Sequence, residues 1–452
     1  MPVLSPPSVS DPAGASAAPD ARLAPAPLPR LPVWPLTVMF GLVPVWWLAG
    51  AFYLGWSLLG AVLLALLLVR GRVPLPPGTG IWLLFLALVM VSATQLSTVG
   101  SLLGFGLRLG FYVTALVVGV YVYAVARQRA DLSALLVPLC LFWFALVALG
   151  WLGVVMPRFT LGTPMEMLLP GGIAGNPYIQ DLVRVGASEF SARSLNPIYR
   201  PSAPFPYTNN YGSAYAMTLP CVVAFVMLRR RGLLRWALIA SLPLSLAPAF
   251  LTLNRTMFVS LGAGLLVLGL RAARRGNVRV GASVVGVLLI GGLATLVIPV
   301  AELIDNRVES SDTNSDRFAL YGEVLRRVAE SPWLGYGAPA SVDTISAPVP
   351  VGTQGQLWMV LFSHGVPALL SFLGWFALVA VICARVRSAP GQWLAVLPVV
   401  CLVQMPFYGM ASPNLSVAFF AIALTMALVE RETRPVGPVL PRPAPRPEVA
   451  SG

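Results

Sequence analysis

The sequence predicts an all-α polytopic membrane protein with about twelve spanning helices and both termini on the cytoplasmic side. Three observations carry this expectation. Hydrophobic residues make up 57% of the 452-residue chain and charged residues only 10%, with a mean hydropathy of +0.80; soluble domains carry about 25% charged residues. Apolar runs recur along the chain at close to the roughly 20 residues a helix needs to cross the hydrocarbon core. All 30 basic residues are arginine, and 20 of them fall in clusters separated from one another by two such runs, as the positive-inside rule requires. The net charge of +13 is therefore spread over short interhelical segments, a distribution that argues against nucleic-acid binding.

In chain order, residues 1–31 form a Pro-, Ala- and Ser-rich tail with too little apolar surface to offset its ordering entropy. The tail lacks a cleavage-like pattern, so no signal peptide is expected. Spans are expected at 33–50, 52–69, 79–96, 109–126, 132–155, 208–228, 236–252, 256–270, 280–300, 356–383, 391–409 and 414–430, giving one membrane domain over 32–430. A Pro- and Arg-rich tail, 431–452, follows. Cys140, Cys221, Cys383 and Cys401 lie in or at the ends of apolar runs with no metal-ligand or disulfide spacing, which predicts simple packing.

This topology leaves two long outer segments, about 156–207 and 301–355, which hold eleven of the seventeen acidic residues. Loops of such length are uncommon unless they fold or function. Residues 315–330, SDRFALYGEVLRRVAE, predict an amphipathic helix with Phe318, Tyr321, Val324, Leu325 and Val328 on one face and Pro332 as its stop. Such a helix would lie on the outer surface or cover a cavity. The run 236–270 starts and ends at cytoplasmic arginines, so it must be a helical hairpin with Asn254–Arg255 at its outer tip. That placement spares Arg255 the roughly 2.5–3.5 kcal/mol cost of mid-membrane burial.

Here the motifs resemble the bacterial O-antigen ligases and O-antigen polymerases. That family has an arginine, a glycine three residues on, an aromatic at five and an asparagine at nine. Arg200, Ala203, Phe205 and Asn209 follow this pattern with one change, and Tyr207 adds an aromatic between them. Arg255 stands where the family has a second arginine at an outer helix mouth. Arg317, followed by Tyr321 and SPWLGYG at 331–337, resembles a further family segment. One departure matters: the family has His-Asn eleven and ten residues before a Gly-hydrophobic pair, and counting back from Gly365 gives Gln354 and Gly355. An amide hydrogen-bonds but accepts no proton near neutral pH. The only histidine, His364, is expected roughly 15 Å deeper along a helix, in a packing or polar-contact role.

The resemblance implies a multi-pass protein of the bacterial cytoplasmic membrane with an outward-facing site. It implies transfer of a glycan from a polyprenyl-pyrophosphate donor to a glycan or lipid-glycan acceptor hydroxyl, by an inverting reaction with no cofactor and no metal. Arg200, Arg255 and Gln354 are then the expected catalytic residues. Arg317, Asn209, Phe205 and Tyr207 are the expected substrate-binding residues, and membrane lipids are the surrounding partners. Guanidinium forks match phosphate oxygens and can stabilise the charge of a leaving pyrophosphate. Gln354 would orient the acceptor, with Glu189 or Asp343 as alternative bases. The competing expectations are a lipid-linked oligosaccharide flippase or solute carrier, and a non-catalytic assembly relative. Ligase and polymerase share the donor chemistry and are not distinguished.

Overall fold

A computed structural model describes residues 30–129, 131–191, 198–297, 313–339, 351–411 and 413–433. The chain begins with two short helices, α1 (Trp34–Gly41) and α2 (Val43–Leu48), where a single span was expected. Then come α3 (Leu54–Arg70), α4 (Thr79–Ser92), α5 (Val99–Gln128) and α6 (Ser133–Val155). Helix α5 starts ten residues before the expected span, because Thr98 caps it: its side chain accepts from Ser101 N at 3.1 Å.

The first long segment folds. It contains β1 (Thr160–Leu161), α7 (Pro164–Leu168), α8 (Gly171–Ala174), α9 (Pro177–Val183), β2 (Val185–Gly186), β3 (Ser188–Ser191) and β4 (Ile198–Pro201). These strands make two small antiparallel pairs, β1 with β2 and β3 with β4. Helix α10 (Thr208–Leu228) follows, then the expected hairpin: α11 (Leu233–Leu244) and α12 (Leu246–Leu251) rise to a reversal, and α13 (Arg255–Arg275) returns. Leu253 has φ +52°, the left-handed backbone that makes this reversal tight. The remaining helices are α14 (Val278–Val297), α15 (Thr313–Glu330), α16 (Gln356–Cys383), α17 (Ala389–Leu394), α18 (Leu397–Gln404) and α19 (Pro413–Thr433).

Among the described residues, seven helical stretches are long and apolar enough to cross a membrane, and four further apolar helices are shorter. The expected spans 33–50, 236–252 and 391–409 are each broken into two helices. Helices α5, α10 and α19 are almost wholly buried and form the centre, where Trp375 stacks on Phe419 at 4.2 Å and Trp82 packs on both. Helices α3, α13 and α14 expose leucines such as Leu58, Leu68, Leu266 and Leu289, as lipid-facing helices do.

One end of the bundle is arginine-rich and cross-linked. Arg127 pairs with Glu430 at 3.0 Å, Arg229 pairs with Asp131 at 3.0 Å, and Arg431 donates to the Ala126 and Arg129 carbonyls. Arg275 bonds the Ala384 and Val386 carbonyls. The Asp131 carboxyl is held below its ordinary pKa, chiefly by its hydrogen bond from Ser133. The clusters at 127–129, 229, 275 and 431 thus share pairwise-bonded helix ends, as the expected topology requires. The opposite end carries fewer of the described arginines, and the candidate site residues lie there.

Candidate functional site

The site starts from a strand pairing. In the β3–β4 ladder Glu189 stands directly opposite Arg200, and a guanidinium nitrogen lies 3.1 Å from the carboxylate. Directly opposed unlike charges stabilise a strand pair. Arg200 is buried, and its Nε has no hydrogen-bond partner among the described residues. The second oxygen of Glu189 accepts from Thr208 N at 2.7 Å, at the first residue of α10. That N–H is one of the four a helix start leaves unpaired, and it sits at the positive end of the helix dipole.

The hairpin tip meets the same residue. Asn254 caps α13, its side-chain oxygen accepting from Met257 N at 3.2 Å, and its amide donates to the Thr208 carbonyl at 3.4 Å. This contact needs a glycine on α10: a Cβ at Gly212 would sit 2.1 Å from the Asn254 amide. Arg255, the first residue of α13, is exposed and has no ion-pair partner among the described residues. A cation at a helix N-terminus opposes the dipole, so the position favours an anion. Thr208 is therefore bonded on one side to the partner of Arg200 and on the other to the neighbour of Arg255.

A buried glutamine joins two further elements to this pair. Gln404, at the end of α18, accepts from Ser213 on α10 at 2.7 Å and donates to Ser260 on α13 at 2.9 Å. The chain after Gln404 supplies carbonyls to the start of α16: Leu357 N bonds Met405 O at 3.0 Å and Gln356 N bonds Tyr408 O at 2.8 Å. Gly355 lies so close to Pro406 that a Cβ would come within 2.4 Å of its carbonyl. Gln354 precedes this junction, half-buried. Its amide donates to Thr353 Oγ1 at 3.1 Å and accepts from Gly352 N at 3.2 Å.

The other expected residues are placed as follows. Phe205 is buried against Phe52 and Tyr53, with ring centroids 5.3 and 6.5 Å away, so its main surroundings are the core. Tyr207 is partly exposed and donates to Asp181 at 2.7 Å. Asn209 is half-buried on the first turn of α10. A cavity of about 440 Å³ opens beside them, lined by Trp47, Phe52, Asp181, Ser188, Ser202 and Phe205 among others. The Arg317 side chain and Asp343 lie outside the described residues.

The expected amphipathic helix is α15. Leu320, Val324 and Val328 pack on Val351, Leu361 and Phe362, and Tyr321 stacks on Trp358 with centroids 4.3 Å apart. Phe318 and Leu325 are exposed instead, because the packed stripe is rotated towards Leu320. Helix α15 therefore covers the first turns of α16. Its polar face carries an ion-pair cluster in which hydrogen bonds from Arg326, with Arg327, lower the Glu323 pKa to about 2.

His364 is buried at the end of the first, unbroken stretch of α16. Gly365, at φ +78° and ψ −178°, breaks α16 immediately after it. The break frees carbonyls that the 331–337 segment satisfies: Tyr336 N bonds Phe362 O at 3.0 Å and Gly337 N bonds Ser363 O at 2.7 Å, while Val366 N bonds Pro332 O at 2.8 Å. His364 therefore lies level with the last residue of α4, and its Nδ1 is 2.7 Å from Ser92 Oγ. Ser92 Oγ also lies 2.7 Å from Val89 O, and the buried Nε2 of His364 has no partner among the described residues. Sequence reasoning also passed over Arg108, which lies inside α5 rather than at its mouth. The signal in the sequence is an arginine within an apolar run.

Among the described residues, no three His, Cys, Asp or Glu side chains come together where a metal ion could sit. The fold and this polar junction define a helical, multi-pass membrane protein in which strand β4 with Arg200 and the starts of α10 and α13 are joined at one end. Residues 240–382, about a third of the chain, match the family model of the O-antigen ligases. The family expected from the motifs is thus the one whose model the chain matches. The matched stretch holds the hairpin, Arg255, α15 and the broken helix α16. No curated protein gives a significant match.

Proposed function

We propose that the protein transfers a glycan from a polyprenyl-pyrophosphate carrier to an acceptor hydroxyl at the end that holds the candidate site, on the outer side of a bacterial cytoplasmic membrane. The observation that supports this reading is the double hold on Thr208: Glu189, the partner of Arg200, accepts from its N–H, and Asn254, the neighbour of Arg255, donates to its carbonyl. Arg255, exposed beside two positive helix ends, is the residue suited to the donor pyrophosphate. Arg200 is held by Glu189, and its buried Nε is a donor without a partner among the described residues.

In the reaction, the acceptor oxygen attacks the anomeric carbon from the face opposite the pyrophosphate. The carbon–oxygen bond to pyrophosphate breaks, and its electron pair leaves with the phosphate. The stereochemistry inverts. Negative charge grows on the leaving group, where fixed guanidiniums act without reorganising. Gln354 orients the hydroxyl, whose proton passes to Glu189 or to water. The cavity beside Trp47, Phe52 and Asp181 suits a sugar, pairing apolar ring faces with hydrogen-bonding groups.

The test is transfer of a labelled lipid-linked glycan by purified protein with divalent ions chelated. Wild type should be active, and Arg255→Ala should lose roughly 100-fold in rate, as expected when one transition-state donor is removed. Gln354→Ala should weaken acceptor use and leave donor binding in place. Loss of wild-type transfer on chelation refutes the metal-free scheme. Activity only in Gln354→His, with wild type inert, would instead indicate a non-catalytic relative.

A further inference from the structure

A second cleft lies at the opposite end of the molecule from the proposed reaction. It has a volume of about 900 Å³ and is lined by Arg275, Arg279 and Arg387, with Asn277, Gln392 and the Gly276 turn. Its two walls are the turn between α13 and α14 and the turn leading from α16 into α17. They are tied together: Arg275 donates to the Ala384 and Val386 carbonyls, and Trp393 Nε1 donates to Ser283 at 2.8 Å. The cleft is therefore braced by bonds on both sides.

Its polar groups are unevenly satisfied. Arg279 and Arg387 are exposed and make no ion pair among the described residues, while Arg275 spends its donors on the opposite turn. Glu432 accepts from the backbone N–H groups of Arg387 and Ser388. Gln392 is fully buried; its Nε2 donates to Arg387 O at 2.8 Å, and its Oε1 has no partner among the described residues. An unmade hydrogen bond at a buried acceptor is costly, so the cleft asks for a ligand that brings both negative charge and a hydroxyl donor.

We infer that this cleft binds the headgroup of an anionic glycerophospholipid. The phosphate lies between Arg279 and Arg387, and a headgroup hydroxyl donates to Gln392 Oε1. A basic pocket between helix ends on the arginine-rich side of a membrane protein is where such headgroups reside. The lipid would fasten the α13–α14 turn to the α16–α17 turn. It is separate from the glycan donor and from the arginines proposed to act on it.

The test is native mass spectrometry of the full-length protein in detergent, titrated with phosphatidylglycerol, with phosphatidylcholine, or with inorganic phosphate. Wild type should retain phosphatidylglycerol selectively. The double variant Arg279→Gln/Arg387→Gln should lose roughly 30-fold in apparent affinity, at about 1 kcal/mol for each basic residue near an anionic headgroup. The double variant Arg279→Lys/Arg387→Lys, which keeps the charges, should recover most of the binding, and its thermal melting reports that the fold is intact. Equal retention of phosphatidylglycerol and phosphatidylcholine overturns the assignment, as does undiminished binding in the glutamine pair. Displacement of the lipid by inorganic phosphate at equal concentration overturns it in favour of a free-anion site.

Discussion

Replacing Gly365 with alanine should detach the 331–337 segment from α16. The native backbone there, at φ +78° and ψ −178°, lies in a region open essentially to glycine alone, and forcing another residue into it costs about 1–3 kcal/mol. A Cβ would also come within 2.6 Å of the Trp333 carbonyl carbon and oxygen, and backbone atoms cannot turn aside as a flexible side chain can. Relief requires the segment to withdraw. Withdrawal gives up the bonds from Tyr336 N, Gly337 N and Val366 N, which are 2.7–3.0 Å long. At about 1 kcal/mol net for each bond, the total penalty is roughly 4–6 kcal/mol. The assay is amide hydrogen exchange on full-length protein in nanodiscs. The Tyr336 and Gly337 amides should exchange at least about 100-fold faster in the variant, since each 1.4 kcal/mol is a factor of ten. Amides at the arginine-rich end should be unchanged. Native-like protection of Tyr336 and Gly337 in Gly365→Ala would show that this segment does not hold the helix break.

Three other changes probe the site and its cover. Asn254→Ala removes the α13 cap and the bond to Thr208, so thermal or denaturant unfolding should show a loss of about 1–2 kcal/mol; glycan transfer should fall further than that of a cap variant distant from the site. Arg200→Lys and Arg255→Lys keep the charge and lose the two-pronged fork, so transfer rates should drop at least about tenfold while circular dichroism and melting stay near wild type. The Glu323 cluster makes the α15 surface acid-sensitive. Because the folded carboxyl pKa is lowered to about 2, its stabilisation is fully present above the ordinary glutamate value near 4.5 and fades as pH falls from there towards 2. Exchange of α15 amides should rise over that window, and Glu323→Gln should abolish the pH dependence.

What the sequence determined by itself is what depends on local chemistry. Composition and run length set the solvent and the helical class, since a spanning backbone must satisfy its hydrogen bonds internally. Arginine spacing made 236–270 a hairpin, and its tip does fall at Asn254–Arg255. Periodicity located α15, although it could not tell which part of the apolar stripe would be covered, so Leu320 took the place assigned to Phe318 and Leu325. The partners of the polar side chains were decided by tertiary structure, because each partner comes from a distant segment. Asn254 meets Thr208 across 46 positions and His364 meets Ser92 across 272. The break at Gly365 belongs with these contacts: a helix gives up internal bonds only where another stretch of chain replaces them, and 331–337 does so. His364 is buried, as counting along the helix from Gln354 implied, but only the tertiary structure shows that its neighbour is Ser92 at the end of α4.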